Sequence, residues 1–189
     1  MNNKKMLAYV MVAVGFAGLG SLVACQKPAE PVKAAAVEVP ATTAAPAVNA
    51  DPVAALLGQS MNDAGGKPQA LAQWKGKPLL VNFWAPWCGP CVKEMPELSN
   101  LASELKDKNI NVVGIGIDTP TNIAEFTGKY KIAYPIYVGG MDATDMSRAL
   151  GNKNGGLPYT VLIGADGKVI KTYLGTLKFD VLRKDLAAL

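Results

Sequence analysis

The feature that most constrains this chain is an uncharged, mostly apolar run at residues 79–85 that leads through Pro86 and Trp87 into the tetrapeptide Cys-Gly-Pro-Cys at 88–91. The run is rich in β-forming residues and is long enough for a buried strand but short for a helix. After the cysteines, apolar residues recur at intervals of three and four as far as about residue 108, which predicts an amphipathic helix. The sequence therefore predicts a central strand followed directly by a helix, with two cysteines at the junction.

The remaining patterns complete an α/β fold. Residues 110–117 predict a second buried strand, and Asp118-Thr119-Pro120 predicts the start of a helix reaching about residue 130, so the centre of the chain is a βαβ unit. Further segments predict two hairpins and a closing helix: residues 61–71, residues 159–163 with 169–175, and residues 179–188. We expect a mixed central β-sheet flanked by helices, with an N-terminal β-hairpin extension.

Composition excludes several classes of enzyme and site. The chain has 189 residues, three cysteines and no histidine. Serine-histidine hydrolases, cysteine-histidine proteases and histidine-rich zinc sites are therefore excluded. A cysteine zinc site needs four ligands, which three cysteines can complete only with carboxylates or between chains. We predict no metal site and no cofactor.

The N-terminus has the layout of a secretory signal. Lys4 and Lys5 precede an uncharged run from 6 to 24, and the run ends in Leu-Val-Ala before Cys25, which resembles a bacterial lipoprotein cleavage site. We interpret residues 1–24 as a signal peptide and Cys25 as the lipidated residue. The alternative is an uncleaved membrane-spanning helix. Both interpretations place the rest of the chain outside the cytoplasmic membrane and attached to it.

Residues 25–50 are interpreted as a tether and residues 51–189 as the folded domain. The tether is rich in alanine, valine and proline and has no aromatic residue, so it cannot build a core. Removing residues 1–24 lowers the formal net charge from +4 to +2, because Lys4 and Lys5 leave and no acid does. An excess this small indicates no nucleic-acid partner.

The two close cysteines predict thiol chemistry. At a helix N-terminus, unpaired backbone donors and the helix dipole favour a thiolate, so Cys88 is the predicted nucleophile. Cys91 lies within the first turn and is the predicted resolving cysteine. Pro90 suits a first helical turn, and Gly89 lets another backbone approach Cys88. The alternatives are a structural disulfide, which would close only a very short loop, and the incomplete zinc site.

A family resemblance rests on these residues. The stretch from Asn82 to Cys91, followed by Glu94-Met95-Pro96, resembles exported thioredoxin-like proteins of the TlpA/ResA group, and the resemblance covers roughly residues 56–189. The later segment Gly-Leu-Pro-Tyr-Thr at 156–160 agrees with it. The resemblance implies a thioredoxin fold and a thiol-disulfide oxidoreductase.

The resemblance also implies how a substrate would be held. Pro158 matches the cis-proline that faces the redox pair in thioredoxin-fold proteins, and the backbone of Leu157 is expected to pair with a bound substrate strand. With Trp87, Gly89 and Pro90 these residues form the predicted substrate-binding surface. Alternatively, Pro158 only begins an edge strand. The loop at 152–156 differs from the tighter loop expected of the group.

A glutamate is the predicted proton carrier. Where thioredoxin has a buried aspartate, this chain has Asn82, which cannot exchange a proton at neutral pH. Glu94 lies three residues after Cys91 on the same helix and matches a glutamate that tunes the thiols in ResA-like proteins. We expect Glu94 to take the proton of Cys91. The alternative is an ordinary solvated helix acid, and Lys93 is interpreted as a surface lysine.

The leading hypothesis is a membrane-tethered oxidoreductase that reduces disulfides in exported proteins. The resemblance implies apocytochrome c as a substrate and a membrane electron donor of the DsbD or CcdA type. The Gly-Pro pair inside the motif is that of thioredoxin, which favours reduction. Residue 26, directly after the predicted lipidated cysteine, is glutamine and not the aspartate that retains lipoproteins in the inner membrane of enteric bacteria. Both the inner and the outer membrane therefore stay possible locations of the lipid anchor.

Two other functions stay open for this sequence, and a third is disfavoured. A dithiol oxidant or isomerase would use the same cysteines in the opposite direction. A non-catalytic peptide-binding module or chaperone would use the groove near Pro158 without turnover. A peroxidase is disfavoured because Arg148 and Arg183, the only arginines, lie far from the cysteines in sequence.

Overall fold

The computed structural model describes residues 51–189. The predicted signal peptide, the predicted lipidation site Cys25 and the predicted tether lie outside the described residues. Within 51–189, no helix combines the length and apolar character that crossing a membrane requires.

The described part of the chain contains five α-helices and seven β-strands. The helices are α1 (Pro52–Leu57), α2 (Gly89–Leu105), α3 (Pro120–Lys129), α4 (Asp142–Ala149) and α5 (Phe179–Ala187). The strands are β1 (Ser60–Asp63), β2 (Pro68–Ala70), β3 (Leu79–Trp84), β4 (Asn111–Gly116), β5 (Ile136–Val138), β6 (Tyr159–Ile163) and β7 (Val169–Leu174). Short 3-10 turns follow β2 and α2.

All seven strands form one mixed sheet in the order β2-β1-β5-β4-β3-β6-β7. Strand β3 pairs in parallel with β4 and antiparallel with β6, so it is bonded on both edges. The parallel β3–α2–β4 connection confirms the predicted βαβ unit. The antiparallel pairs β1–β2 and β6–β7 confirm the two predicted hairpins, the first of them as the N-terminal extension. The architecture is the thioredoxin fold that the resemblance implied.

The interior strand β3 supplies side chains to a separate core on each face of the sheet. Leu80 and Trp84 belong to a core with side chains of α2, α3 and α5 on one face, while Val81 and Phe83 belong to a core with side chains of α1 and α4 on the other. Successive residues of a strand point to opposite faces, so an uninterrupted apolar run is what such a strand needs. Asn82 is the polar exception, and its side chain shares the face of α2.

Three elements were not predicted from the sequence: α1, β5 and α4. Strand β5 has three residues, too few to show a period, and it joins the sheet only through its neighbours β4 and β1. Helix α4 buries only the small residues Ala143 and Ser147, so it shows no apolar stripe. Helix α1 spans six residues and depends on Asp51, whose side chain accepts a hydrogen bond from the Val53 amide.

Gly139, just after β5, lies where helix α4 meets the sheet. A Cβ at this position would come within 2.5 Å of the Ala143 Cβ and 2.6 Å of the Ile115 Cγ2, and neither atom is the end of a long flexible chain. We expect Gly139→Ala to lower the free energy of unfolding by about 1–3 kcal/mol, because overpacking forces the backbone to shift. Urea denaturation measures the change.

Gly128 in α3 is the matched control. A Cβ there meets no atom within 4 Å. Gly128→Ala should raise the free energy of unfolding by about 0.5–1 kcal/mol, because alanine suits a helix interior better than glycine. Equal effects of the two substitutions would contradict the packing assigned to Gly139.

Candidate active site

The two cysteines of the motif begin helix α2. The chain leaves β3 at Trp84 and turns through a hydrogen bond from the Cys88 amide to the Ala85 carbonyl, 3.1 Å long. Cys88 is the N-cap, and Pro90 lies in the first helical turn, where a missing amide hydrogen loses no helical bond. Cys88 and Cys91 form a disulfide. The predicted strand–turn–helix arrangement is therefore present.

The two sulfurs differ in access. Cys91 is fully buried and Cys88 is 6% exposed, while the neighbouring Trp87 is 70% exposed. The Cys88 Sγ also accepts a hydrogen bond from the Cys91 amide at 3.3 Å. Gly89 faces open space, since a Cβ there would meet no atom within 4 Å. The Cys88 end of the disulfide is therefore the one that borders solvent, beside the exposed Trp87 and Gly89.

The Leu157-Pro158 peptide bond is cis, as the family resemblance implied. Strand β6 begins one residue later and pairs with β3, with Tyr159 opposite Phe83 near the end of β3 that leads to the cysteines. The Pro158 carbonyl accepts a hydrogen bond from the Gly175 amide, 2.8 Å long. In the loops and turns of residues 51–189, the backbone of Leu157 takes part in no such bond.

The loop that differs from the expected pattern is held by a buried amide. Asn152 Nδ2 donates to the Ser147 Oγ at 3.2 Å and to the Gly156 carbonyl at 2.9 Å. Gly151 and Gly155 adopt φ angles of 109° and 65°, which side chains rarely allow. The extra length of this loop is therefore folded back onto α4 before the chain reaches the cis-proline.

Glu94 lies in the interior, on the side of α2 that faces β3. It is 3% exposed; its Oε1 accepts a hydrogen bond from Asn82 Nδ2 and its Oε2 accepts one from the Leu177 amide, each 3.0 Å long. The interpretation of Glu94 as a solvated helix acid is wrong, whereas Lys93 is exposed as expected. Burial raises the pKa of Glu94, and the two hydrogen bonds oppose that rise only in part.

Three groups that surround Glu94 in the structure were not predicted from the sequence. Thr160 Oγ1 accepts a second hydrogen bond from Asn82 Nδ2, also 3.0 Å long. The Leu177 amide comes from the segment before α5, and Tyr134 comes from the segment before β5. Burial and the negative charge of Glu94 both raise the pKa of Tyr134. The pairing of β3 with β6 could have indicated Thr160, but nothing in the sequence marks a backbone amide 83 residues from Glu94.

The surface beside Trp87 holds a mostly apolar pocket of about 260 Å³. Its lining includes Ile117, Pro120 and the exposed Met141. Within residues 51–189, no three side chains of the types that ligate metals come together.

Comparisons with known proteins agree with this geometry. The thiol-disulfide oxidoreductase ResA of Geobacillus thermodenitrificans is 28% identical over 130 residues, covering 68% of this chain and 72% of that protein. ResA of Bacillus subtilis is 31% identical over 122 residues, covering 62% of this chain and 64% of that protein, so the match spans just under two thirds of the relative. A solution structure of a putative thioredoxin from Neisseria meningitidis matches with a TM-score of 0.58 and 30% identity, covering 69% of this chain and 85% of that one.

The fold, the disulfide and these relatives define a thioredoxin-like thiol-disulfide oxidoreductase of the ResA type. The model of the Redoxin family matches residues 36–186. The chain therefore belongs to the Redoxin family.

The raised pKa of Glu94 makes a prediction about stability. In the unfolded chain the carboxyl ionises near its ordinary value of 4.5, whereas the folded protein keeps the proton to higher pH. In this range the folded state binds more protons at Glu94 than the unfolded state does. The contribution of Glu94 to the free energy of unfolding therefore falls as pH rises from about 4.5 through the folded pKa, and it is constant above that pKa.

We expect this fall in the oxidised wild type relative to oxidised Glu94→Gln, which has no proton to lose. Denaturant unfolding with the disulfide intact, at pH values on both sides of the transition, measures the difference. A wild type that gains stability over the variant as pH rises would show that the hydrogen bonds outweigh burial.

Proposed function

We propose that this protein is a membrane-tethered, extracytoplasmic thiol-disulfide oxidoreductase that reduces disulfides in exported proteins through Cys88 and Cys91. The observation that supports the proposal is the unequal exposure of the two cysteines, with the more exposed one, Cys88, at a helix N-cap. A purely structural disulfide needs no such asymmetry. The proposal assigns one sulfur to the substrate and the other to the release of the substrate.

In the first step Cys88 of the reduced protein attacks a disulfide of the substrate. The helix N-terminus and the Cys91 amide stabilise a thiolate on Cys88, because they supply partial positive charge and a hydrogen-bond donor. The thiolate attacks one sulfur of a substrate disulfide. A bond forms between Cys88 Sγ and that sulfur, the substrate S–S bond breaks, and the other substrate sulfur leaves as a thiolate that takes a proton from water.

In the second step Cys91 resolves the mixed disulfide. Glu94, as the carboxylate, accepts the proton of the Cys91 thiol, and the new thiolate attacks Cys88 Sγ. The bond between Cys88 and the substrate breaks, and the departing sulfur takes the proton back from Glu94. The substrate has then gained two electrons and two protons, and the protein holds the Cys88–Cys91 disulfide. A buried carboxyl with a raised pKa suits this exchange, because it holds a proton closer to neutral pH.

The substrate is held as an extended strand beside the cis-proline. The backbone of Leu157 is free to pair with it, which is the chemistry of strand addition. Trp87, Gly89 and Pro90 are exposed around Cys88 and contact the residues next to the substrate cysteine. The pocket beside Trp87 accepts an apolar side chain of the substrate.

The tether and the electron source complete the proposal. Lipidation of Cys25 and the tether at 25–50 hold the domain at the periplasmic face of a bacterial membrane, either the inner or the outer one. A reductase in an oxidising compartment needs electrons from a membrane partner, and a donor of the DsbD or CcdA type fits this need. Apocytochrome c is a substrate of the proposed class, because its haem-binding cysteines must be reduced.

Trapping tests the assignment of the two sulfurs. In the full chain, Cys91→Ser should accumulate mixed disulfides with a disulfide-bonded protein substrate, because Cys88 attacks and nothing resolves. Cys88→Ser should accumulate none. Non-reducing gel electrophoresis, with and without dithiothreitol, measures the adducts. Activity retained by the double variant Cys88→Ser/Cys91→Ser would instead support a non-catalytic peptide-binding module or chaperone.

The direction of electron flow is tested by the equilibrium reduction potential. Fluorescence of Trp84 and Trp87 in defined dithiothreitol or glutathione buffers reports the redox state of the adjacent pair. We expect a potential below about −230 mV, toward the value of about −270 mV for thioredoxin. A potential near about −120 mV, that of the oxidant DsbA, would make the protein an oxidant or isomerase.

A further inference from the structure

The buried amide of Asn82 has one satisfied end and one end without a partner. Its Nδ2 donates to Glu94 Oε1 and to Thr160 Oγ1, each at 3.0 Å. Its Oδ1 is buried and has no hydrogen-bond partner among the described residues. No hydrogen bond to Oδ1 from a described residue therefore fixes the orientation of the amide, which is set by the hydrogen bonds of Nδ2 to Glu94 and Thr160.

The partners of Nδ2 can reverse their roles. A hydroxyl both donates and accepts, so Thr160 suits either an NH₂ group or a carbonyl oxygen in that place. A carboxylate only accepts, but a protonated carboxyl carries one O–H donor. Protonation of Glu94 therefore turns Oε1 from the acceptor that Nδ2 needs into the donor that Oδ1 needs.

The Leu177 amide decides which oxygen of Glu94 takes the proton. It donates to Oε2 at 3.0 Å and can only donate. A hydroxyl oxygen is a weaker acceptor than a carbonyl oxygen, so a proton on Oε2 would weaken that bond. A proton on Oε1 leaves Oε2 as a carbonyl oxygen that accepts the bond at full strength. The proton therefore belongs on Oε1, which is the atom that faces Asn82.

We propose that Asn82 is a positioning residue whose side-chain amide rotates by half a turn when Glu94 changes protonation state. With Glu94 ionised, Nδ2 donates to Glu94 and Thr160, as in the structure. With Glu94 protonated, Oδ1 takes the place of Nδ2 and accepts from the Glu94 O–H and the Thr160 hydroxyl. The amide thus offers hydrogen bonds to Glu94 both before and after it receives the Cys91 proton, a role that deepens the proposed function and rests on it.

The other groups around Glu94 do not compete for this role. The disulfide on α2 does not titrate in the oxidised protein. Tyr134 holds its proton through neutral pH, because burial and the charge of Glu94 raise its pKa. Lys93 is exposed to solvent. Asn82 from β3, Thr160 from β6 and the Leu177 amide are the groups that bond the carboxyl or its partner.

Nuclear magnetic resonance of the oxidised full chain tests the rotation. With labelled asparagine side-chain nitrogen and glutamate carboxyl carbon, the Asn82 NH₂ signals should shift with the same midpoint as the Glu94 carboxyl. The nuclear Overhauser contact between the Asn82 NH₂ protons and the Thr160 methyl should be strong above that midpoint and weak below it. Glu94 titrating while the Asn82 signals and contact stay constant would overturn the proposal, as would a Glu94 that does not titrate.

Asn152 is a control within the same spectrum. It is also buried with a partnerless Oδ1, but its Nδ2 donates to the Gly156 carbonyl, which can never become a donor. Its NH₂ signals should not follow the Glu94 midpoint. A response of Asn152 equal to that of Asn82 would assign the shifts to a general change of structure and overturn the proposal.

Two variants show which glutamate causes the pH-dependent shift of the Asn82 NH₂ signals. Glu97→Gln removes an exposed glutamate of the same helix, bonded to Arg183, and should leave the Asn82 response intact. Glu94→Gln removes the titrating proton and should make the Asn82 signals independent of pH. These measurements involve no substrate, so failure to trap a mixed disulfide would reject the proposed reaction without affecting them.

Discussion

The hydrogen bonds to the Glu94 carboxyl join three segments that the chain brings together only in the folded state. Asn82 reaches it from β3, the Leu177 amide from the segment before α5, and Glu94 itself stands on α2. Taking a carboxyl out of water is costly unless its oxygens are bonded, so these contacts are required for α2 to lie where it does. The same helix carries both cysteines, and the position of the disulfide therefore depends on this buried polar contact.

The register of β3 offsets the free-energy cost of burying the polar side chain of Asn82, because it places hydrogen-bond partners beside that side chain. Strand β3 pairs with β4 from Leu79 to Trp84 and with β6 from Leu79 to Phe83, and Asn82 lies opposite Thr160 of β6. That pairing places a hydroxyl within reach of the amide, on the face that α2 covers. A shift of one residue would turn Asn82 to the opposite face of the sheet, toward α1 and α4. Glu94 and Thr160 would then lose their hydrogen bonds with Asn82. The polar cluster thus favours the same register of β3 as its apolar neighbours do.

The sequence predicted what is local and missed what is distant. The long apolar strand β3, the capped helix α3 and the turn before β7 carry their own patterns, and each was found within a few residues. Strand β5 exists because β1 and β4 bond it, and α4 because its small residues fit the sheet. At the active site, Cys88 and Cys91 follow from spacing, but the contact of Leu177 with Glu94 is created by the tertiary fold.

In the proposed reaction, the order of events follows from the unequal burial of the two cysteines. Cys88, next to the exposed Trp87, is the residue that the substrate reaches, and the helix N-terminus stabilises its thiolate. Cys91 is fully buried, so its proton passes to an acceptor inside the protein as it attacks. A buried carboxyl can take that proton without water entering, provided its own partners tolerate both of its states. A neutral amide that can present either end meets this condition, whereas a second carboxylate would repel the charge of the first.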